Sequence, residues 1–173
     1  VGAHGMSGYE KLWVGNNAMK VIYHSVKPVI SVRKGFRTEH PVIEKIIFPV
    51  DATPQTLIKL DFTLQLASVF RAQLNILSLY NNKNSDGKQL VDENTATAIK
   101  KIIPSGLRYI NESKKCDNFA EATIDYATKR NGDLISIMTH QEFSGSLSLS
   151  ATFAEELINK SPLPVLSFKA ANS

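Results

Sequence analysis

Apolar residues in this chain fall into short continuous runs, separated by stretches in which they recur every three or four positions. Ile43 to Val50 is one run, with Ile46, Ile47, Phe48 and Val50 nearly unbroken; Leu74 to Tyr80 and Leu134 to Met138 are two more. Runs of this length predict parallel strands covered on both faces. Between the first two, Leu57, Leu60, Leu64, Ala67 and Phe70 keep helical spacing to about Arg71. Thr53-Pro54 supplies an N-cap and a proline at the first helical position. The polar stretch 81–88 reads as a loop, and a helix is expected from about Asp92 to Ile103, stopped by Pro104 and Gly106. Arg108 to Asn111 is a weaker strand with polar flanks. Asn118 and Glu121 form a capping box for a helix to Arg130, which Asn131-Gly132 ends. A helix from about Thr152 to Asn159 and a strand from Pro164 to Phe168 complete the series. The order β-α-β-α-β-α-β-α-β predicts an α/β fold with a doubly wound, five-stranded parallel sheet.

The first thirty-three residues carry a shorter version of the same ending. Gly2, Gly5 and Gly15 stand in the spacing Gly-x2-Gly-x9-Gly, Ala18 to Ser25 is helical in pattern, and Pro28 opens the run Val29-Ile30-Ser31-Val32. At one offset of 136 residues (140 − 4), His4 meets His140, Ala18 meets Ala154 and Ile22 meets Ile158. Ser25 meets Ser161, Pro28 meets Pro164 and Val29 meets Val165 at that offset. An ungapped register of this length marks an internal repeat.

The stretch Gly2-Ala3-His4-Gly5-Met6-Ser7-Gly8, then Gly15, a helix and Pro28-Val29, resembles the end of a universal stress protein domain. Ile46-Ile47-Phe48-Pro49-Val50-Asp51 resembles the first strand and adenine-side loop of that family. The resemblance divides the chain into a C-terminal fragment of a first domain (1–33), a linker (34–42, breakers Gly35 and Pro41) and a complete second domain (43–170). It implies strand order 3-2-1-4-5, as in the adenine nucleotide alpha hydrolase-like folds. Ligands of such sheets bind where the order reverses, here between the first and fourth strands, beside Asp51 and Met138.

Composition narrows the setting. With 43% apolar content, 173 residues can bury one ordinary core or slightly more. No run approaches a membrane span and no signal peptide is visible. The chain lacks an initiator methionine, as expected if it starts inside a larger one. The single cysteine, Cys116, has no internal disulfide partner and no nearby histidine in sequence, so it reads as a structural thiol and the protein as cytoplasmic. The net charge of +4 is concentrated at the front: residues 1–50 carry seven Lys/Arg against three Asp/Glu. An anion-attracting patch is one reading of this excess and a solvated surface beside a linker the other. No basic stripe with interleaved aromatics points to nucleic acid.

Two sites follow from the resemblance. In the family, Gly-x2-Gly-x9-Gly-(Ser/Thr) marks ATP-binding members, because glycine lets backbone N–H groups approach ribose and phosphate and a helix N-terminus favours the anion. Gly2, His4, Gly5, Gly15, Asn16 and Asn17 are therefore the candidate nucleotide-binding residues, with Asn16 where Ser or Thr is usual. The adenine half of that site would lie before Val1. The second domain has Asp51 and Leu79 on the adenine side, but Met138, Gln141 and Ala151 replace the glycines, while His140 and Thr152 persist. That site is expected to be degenerate, and Asp51 is equally readable as a residue satisfying its own turn. His4 and His140 read as loop residues or ribose contacts. Tyr9 and Trp13 could cover the phosphate loop, and Ser144 to Ser150 is a serine-rich loop.

The resemblance also implies pairing through last strands, which assigns Val29, Ile30, Val32, Val165, Leu166 and Phe168 to the contact with a second domain or chain. The expected function is a nucleotide-responsive regulatory module with ATP, and Mg if ATP binds, as the ligand. A non-ATP-binding interaction module is the alternative, and a slow ATPase ranks last because no base is evident. There is no P-loop, no His-x-Gly-His motif, no Ser-Gly-Gly loop and no Cys/His cluster for a metal.

Overall fold

A computed structural model describes residues 2–3, 16–33, 36, 42–81, 86–139 and 150–169. In chain order the elements are β1 (Gly2–Ala3), α1 (Asn16–His24), β2 (Val29–Arg33), β3 (Lys45–Val50), α2 (Leu60–Phe70) and β4 (Gln73–Tyr80). They continue with α3 (Gly87–Ile102), β5 (Tyr109–Lys115), α4 (Phe119–Lys129), β6 (Leu134–Met138), α5 (Ser150–Lys160) and β7 (Val165–Phe168). The strands form one sheet in the order β1-β2-β7-β6-β3-β4-β5. Its ladders are parallel except between β2 and β7, which are antiparallel.

Strand residues alternate between two cores. Ile47, Leu77, Leu79, Ile135, Ile137 and Val165 face α1, α4 and α5. Ile46, Phe48, Val50, Leu74, Ile76, Leu134, Met138, Leu166 and Phe168 face α2 and α3. This two-sided burial explains the continuous apolar runs. Gly132 follows the left-handed Asn131 (φ 51°) two residues ahead of β6. A Cβ there would stand 2.8 Å from the Ile47 side chain.

The offset of 136 recurs in the strand register. Gly2 faces Val32 as Met138 faces Phe168, each pair displaced from the other by the offset of 136 (138 − 2 and 168 − 32). Across the β2–β7 ladder Val29 faces Ser167, Ser31 faces Val165, and Ile30 faces Leu166, its own counterpart (166 − 30). A residue that meets its equivalent marks a local two-fold axis. Gly2 and Ala3 thus lie in a strand, where the sequence suggested a loop.

Three further expectations are corrected. The helix read from Thr53 to Arg71 is interrupted: Pro54–Leu57 is a 3-10 turn, Ile58 and Lys59 follow, and α2 starts at Leu60. Thr53 makes no side-chain cap bond; its hydroxyl donates to Asp51 instead. Helix α3 begins at Gly87, ahead of Asp92. Its inner face, Gly87, Val91, Thr95, Ala98 and Ile102, keeps helical spacing through a segment whose outer face is polar, with Lys88–Asp92 and Gln89–Glu93 bonded along it. Strand β5 extends to Lys115 and pairs with β4 over seven positions. It is the sheet edge, which permits its charged, exposed sequence. The N-cap half of the expected capping box forms at Asn118, whose Oδ1 accepts from the Glu121 N–H at 3.0 Å.

Candidate functional site

The site is built by a proline. Within β3 the N–H and C=O of Lys45 face β6, bonding Asp133, whereas the Glu44 carbonyl accepts from Gln73 beside β4. Period-two alternation therefore turns Pro49 toward β6. The β3–β6 ladder holds Ile46 against Leu134 and Ile47 against Ile135 and goes no further, while β3–β4 continues to Val50 and Ser78. Pro49, which has no N–H to offer, stands on the side where the neighbouring strand has already parted. The sheet is split there, at the carboxyl ends of β3 and β6, and the strand order reverses at the same place.

Lys59 reaches into this split. Its Nζ donates to the Pro49 carbonyl at 2.8 Å and lies 4.6 Å from the centre of the Phe48 ring, and the residue is only 3% exposed. Burial drives the ammonium pKa down to about 8, with Asp51 opposing the shift. Thr56, also buried, shares the Pro49 carbonyl at 3.4 Å and accepts from the Asp51 N–H at 3.4 Å. Below, the Thr63 hydroxyl meets Ser136 Oγ at 2.8 Å, fixing the first turn of α2 to β6.

Asp51 is held in its own turn. Its Oδ1 accepts from the Thr53 N–H (2.9 Å) and the Thr53 hydroxyl (2.5 Å). Asn94 of α3 donates to the Asp51 and Thr53 carbonyls at 2.9 and 3.1 Å. Leu79 is 1% exposed in the α4–α5 core and Met138 is 2% exposed in the core beneath α2. The Met138 side chain thus packs inward on the opposite face from Leu79. His4, Gly5, Gly15 and His140 lie outside the described residues, and of Thr152 and Asn16 the backbone position in α5 and α1 is described. Asn17 is exposed in the first turn of α1, and Gly2 ends up in β1. Val29, Ile30, Val165 and Leu166 are brought together in the β2–β7 ladder; Val32 and Phe168 lie further out on their strands, paired with Gly2 and Met138.

Sequence reasoning missed Lys59, Thr56 and Asn94. Lys59 precedes Thr63 and Ala67 by four and eight residues, so the inner face of α2 projected backward was the available signal. Cys116 is half-buried against the core and burial raises its thiol pKa, in keeping with a structural role. Among the described residues no helix is long and apolar enough to cross a membrane.

Comparison with known proteins finds likeness in structure alone. No protein-family model matches the chain, and no curated relative does. Among solved structures, a universal stress protein from Archaeoglobus fulgidus DSM 4304 is similar over 98% of this chain and 60% of its own, with 15% identity and a TM-score of 0.75. This chain therefore spans about three fifths of that protein's length. A universal stress protein in complex with cAMP is similar over 75% of this chain and 99% of its own (16% identity, TM-score 0.60). UspA from Lactobacillus plantarum covers the same shares, at 16% identity and TM-score 0.57. These likenesses show an α/β fold of the universal stress protein kind.

Proposed function

We propose that this chain is a universal stress protein of tandem type, a nucleotide-responsive regulatory module. In this reading 43–170 is a complete domain and 1–33 the end of a preceding copy. The observation that carries it is the shared register. Gly2 holds the strand position of Met138, and α1 follows it as α5 follows β6. This register supports reading Gly2, His4, Gly5, Gly15, Asn16 and Asn17 as the candidate nucleotide-binding segment, because glycines and a helix N-terminus suit the ribose and phosphates of an adenine nucleotide. The cAMP complex of a similar protein supports the ligand class. The self-facing Ile30 and Leu166 support pairing of the two units through their last strands.

The test is native mass spectrometry and calorimetric titration with ATP, ADP and cAMP, on this chain and on a longer one in which the rest of the front copy precedes residue 1. The longer chain should retain or bind one adenine nucleotide, and Gly5→Val or Gly15→Val should abolish it. Absence of binding at millimolar nucleotide refutes the reading. A second reading, an interaction module without nucleotide, is favoured by the complete unit: Asp51 is engaged by Thr53, and the Met138 side chain is taken up in the core. Under that reading neither chain binds nucleotide and both retain their fold.

A further inference from the structure

We propose that β5 is an interface strand, and that it pairs antiparallel with β5 of a second copy of this chain about a two-fold axis through Ser113. The proposal rests on neither the tandem nor the nucleotide reading, because the pairing assigned there lies between β2 and β7, toward the other end of the sheet order.

The backbone of β5 is paired on one side. The Arg108 carbonyl accepts from Leu74 of β4 at 2.9 Å, and the Cys116 N–H donates to Tyr80 of β4 at 3.0 Å. Between them the ladder runs unbroken from Leu74–Tyr109 to Tyr80–Lys115. Period-two alternation therefore directs the backbone groups of Ile110, Glu112 and Lys114 to β4, and those of Tyr109, Asn111, Ser113 and Lys115 outward. An edge of this kind is a template for a further strand unless it is short, bulged, broken by proline or covered. The edge strand at the other side of the sheet, β1, has two residues; β5 has seven, with no proline and no bulge, and five of them are exposed. What is left to guard the edge is charge, and its order suits a second copy. Glu112 and Lys114 share a face with Ile110 and Cys116, on the side where Glu112 Oε2 bonds Arg130 at 2.5 Å. A two-fold axis through Ser113 sets Glu112 opposite Lys114 of the copy, twice over, and Ile110 opposite Cys116. These are the close, non-hydrogen-bonded positions of an antiparallel ladder. Ser113 with its own copy, and Asn111 with Lys115, then take the hydrogen-bonded positions, which is where the outward backbone groups are. Neighbouring axes match less well. One through Glu112 opposes two carboxylates, one through Lys114 opposes two ammonium groups, and one through Asn111 sets Glu112 against Ile110.

The alternative role for Lys114 and Lys115 is to repel any approaching edge, which would leave the chain without a partner at β5. The two roles separate experimentally. Sedimentation equilibrium of the full chain should show a reversible dimer that weakens as salt is raised. A chain that stays monomeric up to about 1 mM overturns the proposal. Glu112→Lys, which sets lysine against lysine, should weaken the dimer about tenfold or more, and combining it with Lys114→Glu should recover most of the loss, since the pair returns with its signs exchanged. A dimer indifferent to Glu112→Lys, or not recovered by the exchange, overturns the proposal. The register has its own readout. In a Cys116→Ser background, Ser113→Cys chains should cross-link to themselves under oxidised glutathione, because directly opposed residues of a hydrogen-bonded pair stand about 5.5 Å apart at Cα, within disulfide reach. Asn111→Cys chains should not link to themselves but should link to Lys115→Cys chains. A dimer in which Ser113→Cys fails to cross-link, or in which Asn111→Cys links to itself, overturns the proposal. Asn111, Ser113 and Lys115 are exposed, so these variants leave the core intact, and the wild-type sedimentation result stands without any of them.

Discussion

Two segments of this molecule share one register and differ in burial. In β6–α5–β7, Leu166 is 1% exposed and Phe168 is 7%. In β1–α1–β2, Ile30 occupies the position of Leu166 and is 42% exposed, and Val32, in the place of Phe168, is half-buried. The face toward α1 and α5 is alike in both: Ile22 and Ile158 are buried there, as are Val29 and Val165. The difference lies on the opposite face. Helix α2 covers β7, with the Phe62 ring edge-on to Phe168 at 5.4 Å, and no described helix covers β2 there. Strand pairing and the helix that joins the two strands fix the register. Burial of the second face comes from a helix far away in sequence.

The largest effect should come from the self-facing pair. Leu166→Ala should cost about 3–4 kcal/mol, as for a large aliphatic side chain removed from a closed core. Ile30→Ala, at the equivalent position, should cost about 1 kcal/mol because much of that side chain is already in water. Urea denaturation of the two variants measures both. Equal costs would mean that the exposed face of β2 is covered in solution, and the contrast between the segments would disappear.

How much of this was legible in the sequence depends on which face carried the signal. The strands Ile43–Val50, Leu74–Tyr80 and Leu134–Met138 were readable because burial on both faces makes them predominantly apolar, with Asn75, Ser78 and Ser136 as buried polar exceptions. The offset of 136 was readable because Pro28 and Pro164 each stand just ahead of a strand, and the Asn118 cap because its chemistry is local. Strand β5 was under-read since an edge strand needs no apolar pattern: YINESKK owes its extended form to the β4 ladder. The break at Ile58–Lys59 was hidden because Leu57, Leu60 and Leu64 keep helical spacing across it. Lys59 itself was passed over because hydropathy assigns a lysine to the surface, although it continues the inner face of α2 backward. Its burial depends on a carbonyl freed by the parting of β3 and β6, a tertiary event. The candidate site was half legible: Asp51 lies at the expected place, but its commitment to Thr53 comes from the 3-10 turn.

The second prediction concerns α2, the element that makes the two segments differ, through the residue that fixes its start. The pKa of Lys59 falls from an ordinary 10.5 to about 8 on folding. The folded state therefore holds the proton less tightly than the unfolded chain, and below pH 8 this penalty is fully present. As pH rises from about 8 to 10.5 the unfolded chain binds more protons, so the penalty is relieved and this contribution to stability increases. The penalty at pH 7 is roughly 3 kcal/mol. Lys59→Met removes the titration, so the stability of wild type relative to the variant should rise by roughly 3 kcal/mol between pH 7 and pH 10.5, on top of a pH-independent cost for the Pro49 carbonyl that loses its donor. Denaturation of both proteins across this range isolates the effect, because their other groups cancel in the difference. A constant difference would mean that Lys59 is solvated in solution and α2 less firmly seated than described.

The smallest effect tests the face on which the two segments agree. Tyr23 of α1 donates its hydroxyl to Glu155 of α5 at 3.1 Å, across the local two-fold. Burial raises the phenol pKa, and the Glu155 carboxylate raises it further. Tyr23→Phe keeps the ring and removes the bond, at a cost of about 1 kcal/mol at neutral pH. The sign of its pH dependence is opposite to that of Lys59. A phenol whose pKa is raised on folding contributes stability that is present while it is protonated, and loses it as pH climbs above the ordinary value near 10. The difference between wild type and Tyr23→Phe should therefore shrink above pH 10, a range in which wild type has already gained on Lys59→Met. If Tyr23→Phe is neutral in urea at pH 7, this bond adds nothing to the seating of α1, and the agreement between the segments is one of apolar packing around Ala18, Met19 and Ile22.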